Sequence, residues 1–324
     1  MNRRVFLIGS GVGVVAFSVL AEAQQTRKIY RVGMLLAGDR PTQVQALRQG
    51  LGELGYIEGR NIAIEVRHAG GSFERLPAIA AELVRLKVDV IVATGSEGVQ
   101  AAKNATGTIP IVMTYVGDPV DRGFAASLAR PGDNITGVAN IGDELDAKRL
   151  ELLKEVVPQI TRVAVLWNPP QPAHSAQLKN LEGAARPLGV ELQPVAIRVQ
   201  EDFDRAFAAM VGARTSAVTM LGSLLHSENL LRIAELARNA KLPAISYNLR
   251  FPELGGLMAY AGKEDDIFRR AATYVDLILK GARPADLPIE QATKFELIIN
   301  GRTARELGLT IPPSLLLQAD RLIE

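Results

Sequence analysis

Asp118 stands where an apolar, β-branched run stops abruptly. In "IPIVMTYVGDPVDRG" (109–123) the run gives way to Gly117-Asp118-Pro119. Pro119 biases the residue before it toward extended backbone, and Gly117 permits a sharp turn. A carboxylate so placed suits a general acid, a metal ligand, an anchor for a ligand ammonium through a charge-assisted hydrogen bond, or a turn cap. Two other pairs carry hydroxyls in a comparable setting, Gly95-Ser96 and Gly222-Ser223. Each follows a strand-like run and precedes a helical pattern, where a hydroxyl and free backbone N–H groups suit an anion. Each serine serves equally as a helix cap. Asn168, before Pro169-Pro170, offers both donors and acceptors. Tyr115, Tyr247 and Tyr260, with Asn248, are candidates for holding a planar side chain; core packing is the alternative for each aromatic.

Catalytic machinery is hard to assemble from these parts. Histidines stand only at positions 68, 174 and 226, in separate segments without metal-ligand spacing. They are expected on the surface or on a cleft wall. There is no cysteine, hence no thiolate chemistry and no disulfide. Neither a phosphate-binding loop nor a nucleophile elbow occurs. Asp143, Glu144 and Asp146 cluster, but read as the first turn of a helix. No cofactor and no metal are expected, and the expectation is a binding protein rather than an enzyme.

These residues need elements to position them, and the chain repeats one order twice. Strands are predicted at 30–37, 61–68, 88–94, 109–116 and 135–140, then at 162–167, 190–197, 217–221, 243–247 and 256–260. Between them Val44, Leu47, Leu51 and Leu54 share one helix face, as do Leu76, Ile79, Leu83 and Leu86. Continuous runs such as "VDVIVATG" suit strands buried on both faces of a parallel sheet. "VDVIVATGS" has its counterpart in "SAVTMLGS", and "TIPIVMTY" in "KLPAISYN". The fold class is therefore α/β, with two doubly wound parallel-sheet lobes. Ligands of such sheets sit beyond the carboxyl ends of the strands. Two facing lobes place those ends, and every candidate above, on one cleft.

The N-terminus carries an address. Arg3-Arg4 precede an apolar stretch from Val5 to Leu20, and Ala21-Glu22-Ala23 is an A-x-A cleavage site. Residues 1–23 are expected to be a signal peptide, with a twin-arginine and a Sec route both open. Formal charge is only +2, spread evenly, and no basic tract points to nucleic acid.

The segments "LGYIEGRNIAIEVR", "RLPAIAAELVRLKVDVIVATG", "IPIVMTYVGDPVDRGF", "SLARPGDNITGV", "KRLELLKEVVP", "RVAVLWNP" and "LILKGARPADLPIEQATKFELIIN", in that order, carry a family resemblance. The chain resembles ABC-transporter substrate-binding proteins of the tryptophan/tyrosine-binding kind, with a type I periplasmic binding fold. It departs at "LMAYAGK", where relatives often have Ser and Gly at Ala259 and Ala261; "TMLGSLLHSENL" and "ISYNLRF" have no clear counterpart.

The resemblance implies a three-strand hinge and a periplasmic monomer that closes on a small carboxylate-bearing ligand, an aromatic amino acid or aromatic acid first. It implies delivery to an ABC permease; a sensor subunit with the same fold is the alternative, and a nucleotide-dependent transferase a remote one. It puts 28–140 and about 262–285 in the first lobe, 141–261 and about 286–324 in the second, with the helix 266–280 returning to the first. The ligand set it frames is Gly95, Ser96, Tyr115, Asp118, Asn168, Ser223, Tyr247, Asn248 and Tyr260.

Overall fold

A computed structural model of the chain describes residues 28–140, 142–171 and 173–324; the expected signal peptide lies outside them. The first strands are β1 (Tyr30–Leu36), β2 (Ile62–His68), β3 (Val90–Thr94), β4 (Ile111–Gly117) and β5 (Ile135–Asn140). Then come β6 (Arg162–Trp167), β7 (Glu191–Ala196), β8 (Ala217–Met220), β9 (Ala244–Ser246) and β10 (Met258–Gly262). Three short ones close the series, β11 (Glu290–Gln291), β12 (Phe295–Asn300) and β13 (Arg321–Ile323). The helices of the first half are α1 (Pro41–Glu53), α2 (Leu76–Arg85), α3 (Gly95–Ala105) and α4 (Gly142–Val156). They are followed by α5 (His174–Ala185), α6 (Asp202–Gly212), α7 (Leu224–Glu228), α8 (Leu230–Asn239), α9 (Glu264–Leu279), α10 (Gly301–Glu306) and α11 (Pro313–Gln318).

Strand order is β11-β5-β4-β3-β1-β2 in one sheet and β13-β12-β10-β9-β8-β6-β7 in the other. The first is parallel throughout; the second breaks that rule only where β10 meets β12. The period of two along each strand splits the apolar runs between two faces. Val32, Met34 and Leu36 pack with Leu47, Phe268 and Ala272 of α1 and α9, while Leu35 joins Leu83 and Val99 of α2 and α3. Val163 and Val165 face Leu153 and Leu181 of α4 and α5, whereas Ala164 and Leu166 face Phe207 and Ile233 of α6 and α8. Both faces of the central strands are dry, which is why those strands read as nearly unbroken apolar runs.

The chain crosses between the sheets three times: after β5, after β10 and after β11. The crossings lie side by side, with Ala292 N–H donating to Ala139 C=O and Lys263 N–H to Lys294 C=O, both at 3.1 Å. Residues 286–291, expected in the second lobe, pack with the first. β11 pairs with β5, Ile289 N–H bonds Leu128 C=O, and the Thr136 hydroxyl bonds Leu287 C=O at 2.8 Å. Helix α9 returns to the first lobe and ends at Lys280, followed by Gly281 at φ +104°.

Two features aim the strand ends. Register slips in β4 between Thr114 and Val116, and the extra residue, Tyr115, sits at φ +57°. A bulge of this kind re-aims a side chain at the end of a ladder. In the second lobe His174 and His226 are fully buried and stack at 6.5 Å, so neither is the surface or cleft-wall residue expected. His174 Nδ1 accepts the Asn168 N–H at 2.9 Å, so its Nε2–H donates to Gly222 C=O at 3.1 Å. His226 Nδ1–H donates to Leu221 C=O at 2.8 Å. The pair thus joins the ends of β6 and β8.

Burial holds the His226 imidazole down at about 4, against 6.5 when free, and lowers His174 as well. Above pH 6.5 His226 is neutral in both folded and unfolded chains. As pH falls below 6.5, the unfolded chain binds a proton that the folded lobe refuses until about pH 4. Stability is therefore lost through that window, by about 3 kcal/mol from this residue. Urea unfolding across the window should show His226→Gln losing much of the wild-type slope; an unchanged slope would show that the pair does not govern acid stability.

Candidate functional site

The carboxyl ends of both sheets open onto one cleft of about 910 Å³. The first lobe supplies the loop after β1 (Ala37 to Gln43), the β3–α3 turn (Thr94 to Glu97) and the segment Gly117–Arg122 after β4, with Tyr115. The second supplies Glu144, Asp146 and Arg149 of α4, parts of α5, Gly222 to Leu224 with Ser227, and Tyr247 to Arg250. Six carboxylates line it (Asp39, Glu97, Asp118, Asp121, Glu144, Asp146) against four guanidiniums (Arg40, Arg122, Arg149, Arg250). The wall is therefore net acidic, which favours a ligand that brings at least one positive group.

Of the residues singled out in the sequence, Gly95, Ser96, Tyr115, Asp118, Ser223, Tyr247 and Asn248 lie on this wall. Gly95 takes φ +76° and opens α3, with Ser96 in its first turn. Asp118, at φ +39°, is exposed and does two things. Its Oδ1 accepts the Asp121 N–H at 3.0 Å, the turn-cap geometry, while the residue faces the cleft. Arg122 braces the same loop, its Nε donating to Gly117 C=O at 2.7 Å. Ser223 is a true N-cap, accepting His226 N–H at 3.1 Å. Tyr247 Oη donates to Ser223 C=O and receives the Ser227 hydroxyl, both at 2.6 Å. Burial raises the Tyr247 phenol above its ordinary value, so it remains a neutral donor. Asn248 spends its Oδ1 on Arg250 N–H at 3.0 Å.

Two candidates stay off the wall. Asn168 is turned inward, 9% exposed, its N–H held by His174. Tyr260, half-buried, packs its ring on Phe295 at 5.9 Å, against the second-lobe core. Its contribution is through the backbone: its carbonyl accepts Arg149 Nε at 2.8 Å.

Arg149 is the cleft-lining residue that sequence reasoning passed over. It forms an almost wholly buried ion pair with Asp146 one helical turn away. Burial pulls the guanidinium below its ordinary value while Asp146 opposes that shift; a guanidinium stays charged regardless. The i,i+3 spacing in "DAKR" was a visible signal, but such pairs are usually solvated. Arg40, Arg122, Gln177 and Asn180 were also missed. Arg122 had a hint in "GDPVDRG", next to the carboxylate that drew attention. Among the described residues no cluster of three or more His, Cys, Asp or Glu side chains has a metal-holding arrangement.

Known proteins share this architecture. The chain is 27% identical over 288 residues to a tyrosine-binding protein of Clostridioides difficile, covering 88% of this chain and 82% of that one. A conserved domain protein of Vibrio cholerae O1 biovar El Tor, of solved structure, is 28% identical with a TM-score of 0.85, over 91% of this chain and 100% of the other. A Streptococcus pneumonia ABC domain, solved with L-Trp, is 22% identical with a TM-score of 0.84 and the same coverage. The two lobes and their hinge are the type I periplasmic binding protein fold. With residues 34–323 matching its family model, the chain belongs to the ABC transporter substrate binding proteins.

Proposed function

We propose that the chain is the periplasmic receptor of an ABC importer, and that it closes on an aromatic amino acid. The observation that carries this reading is the composition of the interlobe cleft: net acidic, walled by both lobes, with Ser96, Tyr115 and Asp118 on one wall and Tyr247 on the other. Its volume is within the ~300–1,000 Å³ common for small-molecule sites. In this scheme Asp118 receives the ligand ammonium, and the first turn of α3 at Ser96 receives the carboxylate through its backbone donors. The tyrosines bound the side chain. The cargo binds and leaves unchanged, and the partner is a membrane permease. Export rests on residues 1–23, and the receptor works as a monomer. The tyrosine-binding relative and the L-Trp-bound neighbour support the choice of ligand class.

The acidic wall favours amino acids over the aromatic acids that the sequence left open. An acid without an amine brings only negative charge to a surface that already has an excess of it.

Titration calorimetry with L-tryptophan, L-tyrosine and their deaminated acids tests the reading. The amino acids should bind, and the deaminated acids should bind at least about tenfold more weakly, a difference of ~1.4 kcal/mol. Tight binding of the deaminated acids, or none of the amino acids, would overturn the assignment. Asp118→Asn should weaken amino acid binding by about 1.5–3 kcal/mol with little change in melting temperature. Normal binding with a lowered melting temperature would leave Asp118 only its turn-capping bond to Asp121.

A further inference from the structure

The segment "TMLGSLLHSENL" has no clear family counterpart, and it contains α7, the short helix beside the cleft mouth. From the second lobe α7 projects toward two glycines of the first. A β-carbon added at Gly38 would lie 2.8 Å from Leu224 Cδ1 and 3.5 Å from Glu228 Oε1. At Gly71 it would meet Leu224 Cδ2 at 3.7 Å and Glu228 Oε1 at 3.8 Å. The atoms that an added β-carbon would first meet at both glycines thus belong to the opposite lobe, and Gly38 is buried although it lies on a loop. Gly71 takes φ +91°, a backbone that side chains other than glycine rarely adopt.

We infer that α7 is an interlobe latch: Leu224 seats in the notch left by Gly38 and Gly71, and the depth of that notch sets how far the cleft closes. This rests on the receptor reading and adds to it the residues that govern closure. The latch is rigid on its own side. The Ser223 cap, the His226 bond to Leu221 C=O and the Ser227–Tyr247 hydroxyl pair fix its orientation to the β8 and β9 ends. It is also continuous with the ligand site, because Leu224 lines the cleft as well as the notch. Closing therefore shields the ligand with the same side chain that holds the lobes together. Affinity scales with the fraction of molecules able to close, so filling the notch weakens binding by holding the lobes apart, an effect the interlobe distance reads without ligand.

The chain has no cysteine, so spin labels at Arg85→Cys on α2 and Glu182→Cys on α5, both exposed, report the interlobe distance cleanly. Double electron–electron resonance should show Gly38→Val shifting the population to longer distances, with and without L-tryptophan. The same substitution should weaken L-tryptophan binding by about tenfold or more, as expected if a tenth of the molecules or fewer still close. Adding Leu224→Ala to Gly38→Val should restore the shorter distance. Distances that ignore Gly38→Val, or a double variant that stays open, would overturn the latch. Should Gly38→Val fail to fold by circular dichroism, Leu224→Trp enlarges the same contact from the other side and must open the lobes in its place. The distances are read without ligand, so a chain that never binds L-tryptophan refutes the proposed cargo and leaves the latch standing or falling separately.

Discussion

Two backbone hydrogen bonds between the crossing segments carry the geometry of the whole site. Ala292 bonds to Ala139, and Lys263 to Lys294, so the three connections move as one narrow strap. Each lobe has its own dry layers on both sheet faces, and among the described residues no apolar cluster spans the two. Motion between lobes is then confined to a few residues at the crossings, as hinge closure requires. Ion pairs surround the strap: Arg270 with Glu290, and Lys294 with Asp266 at 3.3 Å. These are partly exposed, each worth about 1 kcal/mol or less, so they tune the hinge without locking it.

The buried Arg149–Asp146 pair makes the opposite contribution. Arg149 ties α4, the first helix after the first crossing, to the carbonyl of Tyr260 on β10, the strand before the second. Removing one partner would strand a charge in a dry site, at a cost of about 3–5 kcal/mol. One end of the strap is therefore anchored rigidly in the second lobe. In the proposed closure, bending concentrates in the strap itself and the cleft wall keeps its shape.

The fold was legible wherever burial is two-sided. Runs such as "VIVA" and "VAVL" have no polar member because both faces of their sheets are covered. The end of α9 was readable from Lys280-Gly281, since the left-handed φ at Gly281 needs glycine. β11 was not legible, because its two residues, Glu290 and Gln291, are polar and bear no periodic signal. The site was legible in outline, as strand ends, but not in side-chain direction. Asn168 follows β6 as Asp118 follows β4, yet His174 captures its N–H and turns it inward. Tyr260 lies in β10 one residue before Ala261, which does line the cleft, so alternation along the strand sends the ring to the core. Arg149 was hidden because an Asp and an Arg three apart on a helix look the same whether wet or buried; only the packing of α4 against β10 distinguishes them.

The internal repeat explains the architecture and misleads about the roles. Gly95-Ser96 and Gly222-Ser223 occupy equivalent strand ends, and an argument from symmetry gives both serines the same task. Their surroundings differ. Ser96 sits inside the first turn of α3, where no side-chain cap bond occupies the helix end, and it lines the cleft. Ser223 is consumed as the cap of α7, and its carbonyl and N–H are both engaged by Tyr247. One half of the duplication leaves polar groups open to a ligand, while the other spends the same groups on holding a short helix in place. That helix reaches the first lobe at Gly38, beside the cleft that the first lobe's strand ends define. On the proposed reading the two halves divide the labour, with recognition concentrated on the first lobe and the latch on the second.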